Sequence, residues 1–270
     1  MTPEENDIYE EMITVCQKIA ASFPPPRFYD ACKEDLKASQ SIFTQDLRVL
    51  KCRQYILDNL RDHMGHGADH AEKVSVEAGA LVYREGVKSI LGDSPVRDAA
   101  VLAQVAGLLH DLRRGEKDHA QASASAAREI LKDLGLSPEK ETYILDAIAN
   151  HEAFLEPKIL DCPIAQIISD SLYDADKFRW GPDNFTVTLW RMLRFSQAPI
   201  PRLISRFPKG MKGIARIRET FRTQTGKVYG PEFIDRGLQI GEQIYKFLQE
   251  RFAAEINGEN GGRNPRSGRD

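Results

Sequence analysis

The sequence lacks the features that mark secreted, membrane-spanning and disulfide-rich proteins. Its 270 residues include only four cysteines, and none of them forms a CxxC pair, so a disulfide framework is not expected. No apolar run approaches the roughly 20 residues that cross a bilayer. The N-terminus, MTPEENDIYE, is acidic where a signal peptide would be basic. We therefore expect a cytoplasmic protein with no membrane partner.

An excess of positive charge is also absent. The chain has 37 Lys and Arg against 40 Asp and Glu, with a pI of about 6.1. This balance provides no overall attraction for nucleic acid, so we expect no stable nucleic-acid binding. One local basic run is open to two interpretations, a solvated helix face or a surface for a phosphorylated ligand; it comprises Lys209, Lys212, Arg216, Arg218, Arg222 and Lys227.

Strand signals are scarce, because β-branched runs bounded by turn residues are few and apolar residues recur at helical spacing almost throughout. The sequence therefore predicts an all-α fold. A chain of 270 residues can bury one sizeable core, which we expect over residues 61–195. Helical additions are expected over 1–60 and 196–254. The polar tail, 255–270, is rich in Gly, Asn and Arg and is predicted to be disordered.

Prolines and capping residues predict where the helices begin and end. Helices are expected to begin near Pro3, at Ser94-Pro95 and at Ser137-Pro138. The segment AVLAQVAGLL is apolar almost all round, which predicts a helix at the centre of the core. Three prolines predict a loop over 196–210, and Pro231 is expected to open the last helix. Further helices are predicted at 28–39, 45–62, 69–83, 162–177, 183–195, 211–223 and 231–253.

Four of the six histidines and two aspartates lie in apolar surroundings at the ends of predicted core helices. A buried carboxylate costs several kcal/mol unless it is paired, hydrogen-bonded or bound to a metal, and few lysines or arginines share these faces. The adjacent His110 and Asp111 end the segment VAGLLHD and offer an imidazole and a carboxylate from one point. His70 precedes them in HGADHAEKV, and Asp176 follows in DADKF. The pattern indicates a site for a divalent metal.

This ordered set of a histidine, an HD pair and a distal aspartate resembles the HD superfamily of metal-dependent phosphohydrolases, over about residues 60–190. The resemblance implies an HD-domain helical bundle that binds Mn, Fe, Ni, Mg or Zn. It also implies hydrolysis of a phosphomonoester or phosphodiester by a metal-activated water, with a small phosphorylated substrate such as a nucleotide. The implied metal ligands are His70, His110, Asp111 and Asp176.

Two further histidines extend the resemblance. His119 in KDHAQASA and His151 in AIANHEAF stand where two-metal members of the superfamily have additional ligands, with the aspartate of the doublet bridging the ions. Only nine residues separate His110 from His119, and His151 is single where some relatives have a His-His pair. One metal and two metals per chain therefore both stay open. Taken alone, a core histidine is usually satisfied by a backbone carbonyl.

The residues after the doublet, LRRG, resemble the superfamily's HDIGK or HDIGR turn and place Arg114 at its basic position. A guanidinium there can bind a phosphoryl oxygen and stabilise charge in the transition state. We therefore expect Asp111 and Arg114 to be the catalytic residues. Arg113, Lys117 and Lys177 are weaker candidates for substrate binding, since cations at helix ends are more often only solvated.

Two other functions fit the same residues. A minority of HD proteins resemble di-iron oxygenases with six ligands, which here would be His70, His110, Asp111, His119, His151 and Asp176. The third alternative is a non-enzymatic regulatory module with a structural metal. His63 and His66 are left without a role, and the oligomeric state is left open.

Overall fold

The computed structural model describes residues 3–60, 67–86, 92–197 and 199–254. All regular structure in these ranges is helical, which confirms the all-α prediction. The first six α-helices are α1 (Pro3–Ala21), α2 (Phe28–Ala31), α3 (Lys33–Gln45), α4 (Leu47–Asn59), α5 (Ala68–Arg84) and α6 (Asp93–Leu109). The others are α7 (His119–Leu131), α8 (Pro138–Ala149), α9 (Pro163–Phe178), α10 (Leu189–Ser196), α11 (Ile200–Ala215) and α12 (Gln224–Arg251).

Helix α6 is the central element of the core. It is buried on nearly every side between Ala99 and Leu109, as its apolar sequence predicts, and it packs against α4, α5, α8 and α9. The contact with α5 is close because Gly107 has no side chain: a Cβ there would lie 2.7 Å from the Cα of Ser75. The close contact brings the C-terminal end of α6 next to the first turns of α5.

The terminal helices pack on this core from two sides. Helices α3 and α4 contact α5 and α6, whereas α1 contacts α10 and α12. Three rings join the two ends of the chain to α9: Phe28 lies 5.0 Å from Phe178, and Phe233 stacks on Phe178 at 4.2 Å between centroids. Because Phe178 is the last residue of α9, these contacts hold the helix end that carries Asp176.

Three boundary predictions are wrong, each for a reason of local chemistry. Residues 200–210 are helical rather than a loop: Pro199 and Pro201 lie at the start of α11, where no intrahelical N–H bond is lost, and Pro208 is accommodated inside the helix. The last helix begins at Gln224 rather than at Pro231, since the Thr223 hydroxyl caps the N–H of Gly226 and the proline is accommodated inside the helix. The predicted helix 211–223 instead comprises the end of α11 and the 3-10 turn Arg216–Glu219.

Other predicted boundaries shift by smaller amounts. The segment 183–195 divides into a π-helical turn, Asn184–Thr188, and α10. The helix expected to end at residue 39 instead reaches Gln45, as the second of two helices. His63, His66 and the tail 255–270 lie outside the described residues. No helix within the described ranges has the length and apolarity needed to cross a membrane.

Candidate metal centre

Six side chains from the ends of five helices meet at one place in the core. His70 lies in the first turn of α5, His110 and Asp111 directly follow α6, and Asp176 lies in the last turn of α9. His119 is the first residue of α7, and His151 follows α8. All of them except His119, which is partly exposed, are buried. The structure therefore brings together every residue that the sequence predicted as a metal ligand.

Four of these residues form the first ligand group, defined as His70, His110, Asp111 and Asp176. The Nε2 atom of His70 lies 3.3 Å from Nε2 of His110 and 3.3 Å from Oδ1 of Asp176. The Nε2 atom of His110 lies 3.5 Å from Oδ2 of Asp111 and 3.7 Å from Oδ1 of Asp176. Two ligands bound to one ion at about 2.1 Å lie roughly 3.0–3.4 Å apart. The two contacts of His70 fall in this range and the two of His110 are slightly longer, so these buried side chains could hold a metal ion.

The histidine tautomers also suit metal binding. The Nδ1 atom of His110 lies 2.8 Å from the carbonyl oxygen of Gly107, and Nδ1 of His151 lies 2.6 Å from that of Ile148. Because a carbonyl only accepts, we assign the ring proton to Nδ1 in both cases, which leaves a lone pair on each Nε2 atom. The backbone bond therefore satisfies one nitrogen only. Within the described residues, the buried Nε2 of His151 makes no hydrogen bond.

Asp111, His119 and His151 form a second ligand group. The Oδ1 atom of Asp111 lies 3.5 Å from Nε2 of His151 and 3.7 Å from Nε2 of His119, and one ligand atom from each residue falls within 4.8 Å of the others. Because Oδ2 of the same carboxylate faces His110, Asp111 belongs to both groups. Its carboxylate could therefore contribute a ligand to either group.

Arg114 enters the second group from the side that is open to solvent. Its Nη1 atom donates a hydrogen bond of 2.8 Å to Nε2 of His119 and lies 3.8 Å from Oδ1 of Asp111. Burial and the charge of Arg114 both lower the pKa of His119, which favours the neutral imidazole that accepts this hydrogen bond. The side chain of Arg114 is 28% exposed, which allows a ligand from solvent to reach the guanidinium.

Lys177 contacts the first ligand group on the side of Asp176 that faces away from the two histidines. Its ammonium contacts Oδ2 of Asp176, while Oδ1 of that carboxylate faces His70 and His110. Burial alone would raise the pKa of Asp176, but Lys177 and the two histidines outweigh it and hold the pKa well below its ordinary value. Lys177 therefore orients a ligand carboxylate and keeps it ionised.

The other basic candidates are not brought to the ligands by any described contact. Arg113 is exposed and lies 3.6 Å from Glu116, and Lys117 is exposed on the same turn.

Burial lowers the pKa of His110, but the adjacent carboxylates of Asp111 and Asp176 outweigh it, so that the pKa is raised overall. The carboxylates therefore favour the protonated ring, and a metal would compete with a proton for Nε2 of His110.

Sequence reasoning missed two features around the ligands. Glu152 directly follows His151, and its Oε2 atom lies 3.9 Å from Nδ1 of His119; its position next to a ligand was the available signal. Arg179 binds both carboxylate oxygens of Glu77 at 2.6–2.7 Å in the core. Arg179 follows Asp176 by three residues and Glu77 follows His70 by seven, so helical spacing alone places the pair beneath the ligands.

Comparisons of the chain with protein-family models, with curated proteins and with solved structures found no match. A functional proposal therefore rests on the chemistry and geometry of the site itself.

Proposed function

We propose that this protein is a metal-dependent phosphohydrolase of the HD type. The observation that carries the proposal is the first ligand group, in which two imidazoles and two carboxylates are linked through His70 and His110 by four donor-atom distances of 3.3–3.7 Å. Imidazole and carboxylate ligands together suit Mn, Fe, Ni, Zn and, more weakly, Mg. The group belongs to a buried centre with Arg114 on its solvent side, which is where a charged substrate would arrive.

A divalent ion in this site would lower the pKa of a bound water towards about 7 and polarise a phosphoryl oxygen. The residues of the chain perform the other tasks. Lys177 keeps Asp176 ionised and aimed at the histidines. The carbonyl of Gly107 holds the ring of His110 so that Nε2 faces the site. Arg114 exchanges its bond to His119 for a phosphoryl oxygen and offsets the charge that develops there.

The proposed substrates are small phosphoesters, including nucleotides. One guanidinium and one metal centre would recognise the phosphoryl group, but they do not select the rest of the molecule. We place the protein in the cytoplasm. All four cysteines are unpaired, and three of them are buried, which agrees with a reducing compartment.

A di-iron oxygenase is the second candidate function. It is favoured by the position of Asp111, whose two oxygens face the first and second ligand groups separately. A regulatory module with a structural metal is the third, and the deep burial of His110 and His151 would suit it. The partial exposure of His119 and Arg114 favours a reactive centre over a sealed one.

The deciding experiment combines metal analysis with an assay on one simple substrate. Protein purified without chelator or affinity tag is analysed by elemental mass spectrometry and assayed with an aryl phosphate ester under Mn, Ni, Mg and Fe(II). One or two metals per chain with metal-stimulated hydrolysis are expected. Retained iron with oxygen consumption and no hydrolysis would instead favour the oxygenase, whereas bound metal with neither activity would favour the regulatory module.

A further inference from the structure

The basic residues of the chain are distributed unevenly. Residues 184–230 contain ten Lys and Arg but a single acidic residue, Glu219, although the whole chain has a net charge of -3. This region includes α10, α11 and the start of α12. A local excess of this size produces a positive potential that the net charge of the chain does not reveal. The expectation of no stable nucleic-acid binding, which rested on that net charge, therefore does not extend to this region.

Helix α11 and the residue that follows it arrange half of these ten cations along one face. The apolar side chains of Ile204, Phe207 and Ile214 are buried, and the cations project from the opposite side. At 100° per residue, the five cations from Arg202 to Arg216 span about a third of the circumference of the helix and extend for roughly 21 Å along its axis. The basic face, as we define it, consists of Arg202, Arg206, Lys209, Lys212 and Arg216, all of them exposed.

Acidic side chains neutralise the neighbours of this face but not the face itself. Arg194 of α10 pairs with Glu10 at 3.1 Å, and Arg218 pairs with Asp235 at 3.1 Å. Within the part of the chain that the structure describes, no salt bridge involves Arg202, Arg206, Lys209 or Lys212. A solvated surface normally mixes both signs of charge. Four aligned cations without carboxylates instead form a surface for an extended anion.

One end of the basic face meets the loop beside the metal centre. The guanidinium of Arg216 lies over the ring of Phe154, 4.5 Å from its centroid. Phe154 is 47% exposed and has a φ of 65°, a backbone conformation that is costly for a large residue. The loop begins at His151 and Glu152, and its residue Glu152 lies 3.9 Å from His119.

The side chain of Asn150 joins the two ends of this loop. Asn150 donates from Nδ2 to the carbonyl of Lys158 at 3.0 Å, and its Oδ1 accepts the N–H of Lys158 at 2.8 Å. These two hydrogen bonds join the ends of the loop and restrain its backbone, which fixes the position of the exposed ring of Phe154. An exposed aromatic ring next to a row of cations is the combination that unpaired bases and their phosphates require.

We propose that the basic face of α11, together with Phe154, binds single-stranded nucleic acid. The phosphates lie along Arg202, Arg206, Lys209 and Lys212, and a base stacks on Phe154. An anionic membrane fits less well, because the apolar side of α11 is buried against the core and cannot enter a bilayer. The inference goes beyond the proposed function and does not depend on it, since the surface lies outside the ligand groups.

The test is fluorescence anisotropy of a labelled 12-nucleotide oligo(U), with the full chain in EDTA so that no metal chemistry contributes. With four phosphate contacts, raising the salt from 50 to 200 mM is expected to weaken binding about 50-fold. The variant R202Q/R206Q/K209Q/K212Q is expected to bind more than tenfold more weakly, with most of the salt dependence lost. The affinity of the variant Phe154→Leu for the oligonucleotide is expected to be at least about fivefold lower than that of the wild type, because base stacking on the ring is lost.

The matched control is K18Q/K33Q/K37Q/K132Q, which removes the same charge from exposed positions on other helices; its affinity should stay within about twofold of the wild type. Circular dichroism confirms that each variant is folded. Equal losses in both quadruple variants would show attraction by net charge alone and overturn the proposal. So would binding to phosphatidylserine vesicles in the absence of oligonucleotide binding. If the wild-type protein does not hydrolyse the aryl phosphate ester, the proposed function is refuted, but the nucleic-acid proposal for the basic face is unaffected.

Discussion

Arg114 donates a hydrogen bond from Nη1 to Nε2 of His119, at 2.8 Å. The bond occupies the lone pair that His119 would otherwise offer to a metal. In the first ligand group the nearby cation takes a different position: Lys177 contacts Oδ2 of Asp176, while Oδ1 of that carboxylate faces His70 and His110. We therefore expect the second ligand group to bind a metal less readily than the first.

The first prediction concerns this competition. Replacing Arg114 by Gln removes both the guanidinium hydrogen bond to His119 and a positive charge near the ligands, so the metal content per chain is expected to rise above that of the wild type. Hydrolysis is expected to fall by about 10²- to 10³-fold, since the phosphoryl oxygen loses its guanidinium partner. Elemental mass spectrometry and steady-state kinetics measure the two effects. Arg113→Gln, an exposed neighbour, is the control and should change neither.

The second prediction concerns the shared carboxylate. Asp111→Ala is expected to abolish metal binding at both ligand groups while helical content stays largely intact, because Asp111 contributes to each group and the core is broad. Metal content and far-UV circular dichroism provide the test. Asp118→Asn is the control, since Asp118 is exposed and adopts a left-handed conformation that Asn tolerates. Unchanged metal stoichiometry in the Asp111 variant would refute the site assignment.

The third prediction is a pH dependence with opposite signs in the two forms of the protein. The pKa of His110 is raised above 6.5, because the carboxylates of Asp111 and Asp176 outweigh burial. In the metal-free protein, protonated His110 stabilises the fold below about pH 6.5, and this contribution is lost as pH rises through the raised pKa. In the metal-loaded protein the histidine must be neutral, so affinity rises over the same range.

Chemical unfolding at pH 6 and pH 8, with EDTA or with saturating Mn, measures this difference. Stability from pH 6 to pH 8 is expected to decrease in EDTA relative to the His110→Gln variant and to increase with metal. A rise in stability with pH that is the same in both conditions would contradict the role given to His110.

The fourth prediction concerns the packing that positions His110. Gly107→Ala places a methyl group 2.7 Å from the backbone of Ser75, so α6 must move away from α5. We expect a loss of about 1–3 kcal/mol in the free energy of unfolding and weaker metal binding, because His70 and His110 belong to these two helices. Gly210→Ala is the control: a Cβ there contacts nothing within 4 Å, and helix propensity should make it neutral or stabilising.

The all-α class and the set of residues that meet at the candidate metal centre were accessible from the sequence. The helical spacing of apolar residues predicts an all-α protein because a helix must bury one stripe, and α6 is buried where that pattern is apolar all round. His70, His110, Asp111 and Asp176 stand out because polar groups at the ends of apolar helices require a partner. Helix boundaries were less accessible, since Pro201 and Pro231 are compatible with both helix starts and loops.

Only the tertiary structure decided how these side chains face one another. The sequence does not show that Arg114 turns to His119, that Lys177 lies behind Asp176, or that Asp111 stands between two ligand groups. Nor does it place Arg216 against Phe154. Local sequence determines which residues stand at a helix end and in what order, but the direction of a side chain depends on the crossing of helices that are far apart in the chain, and those crossings are set by packing across the whole core.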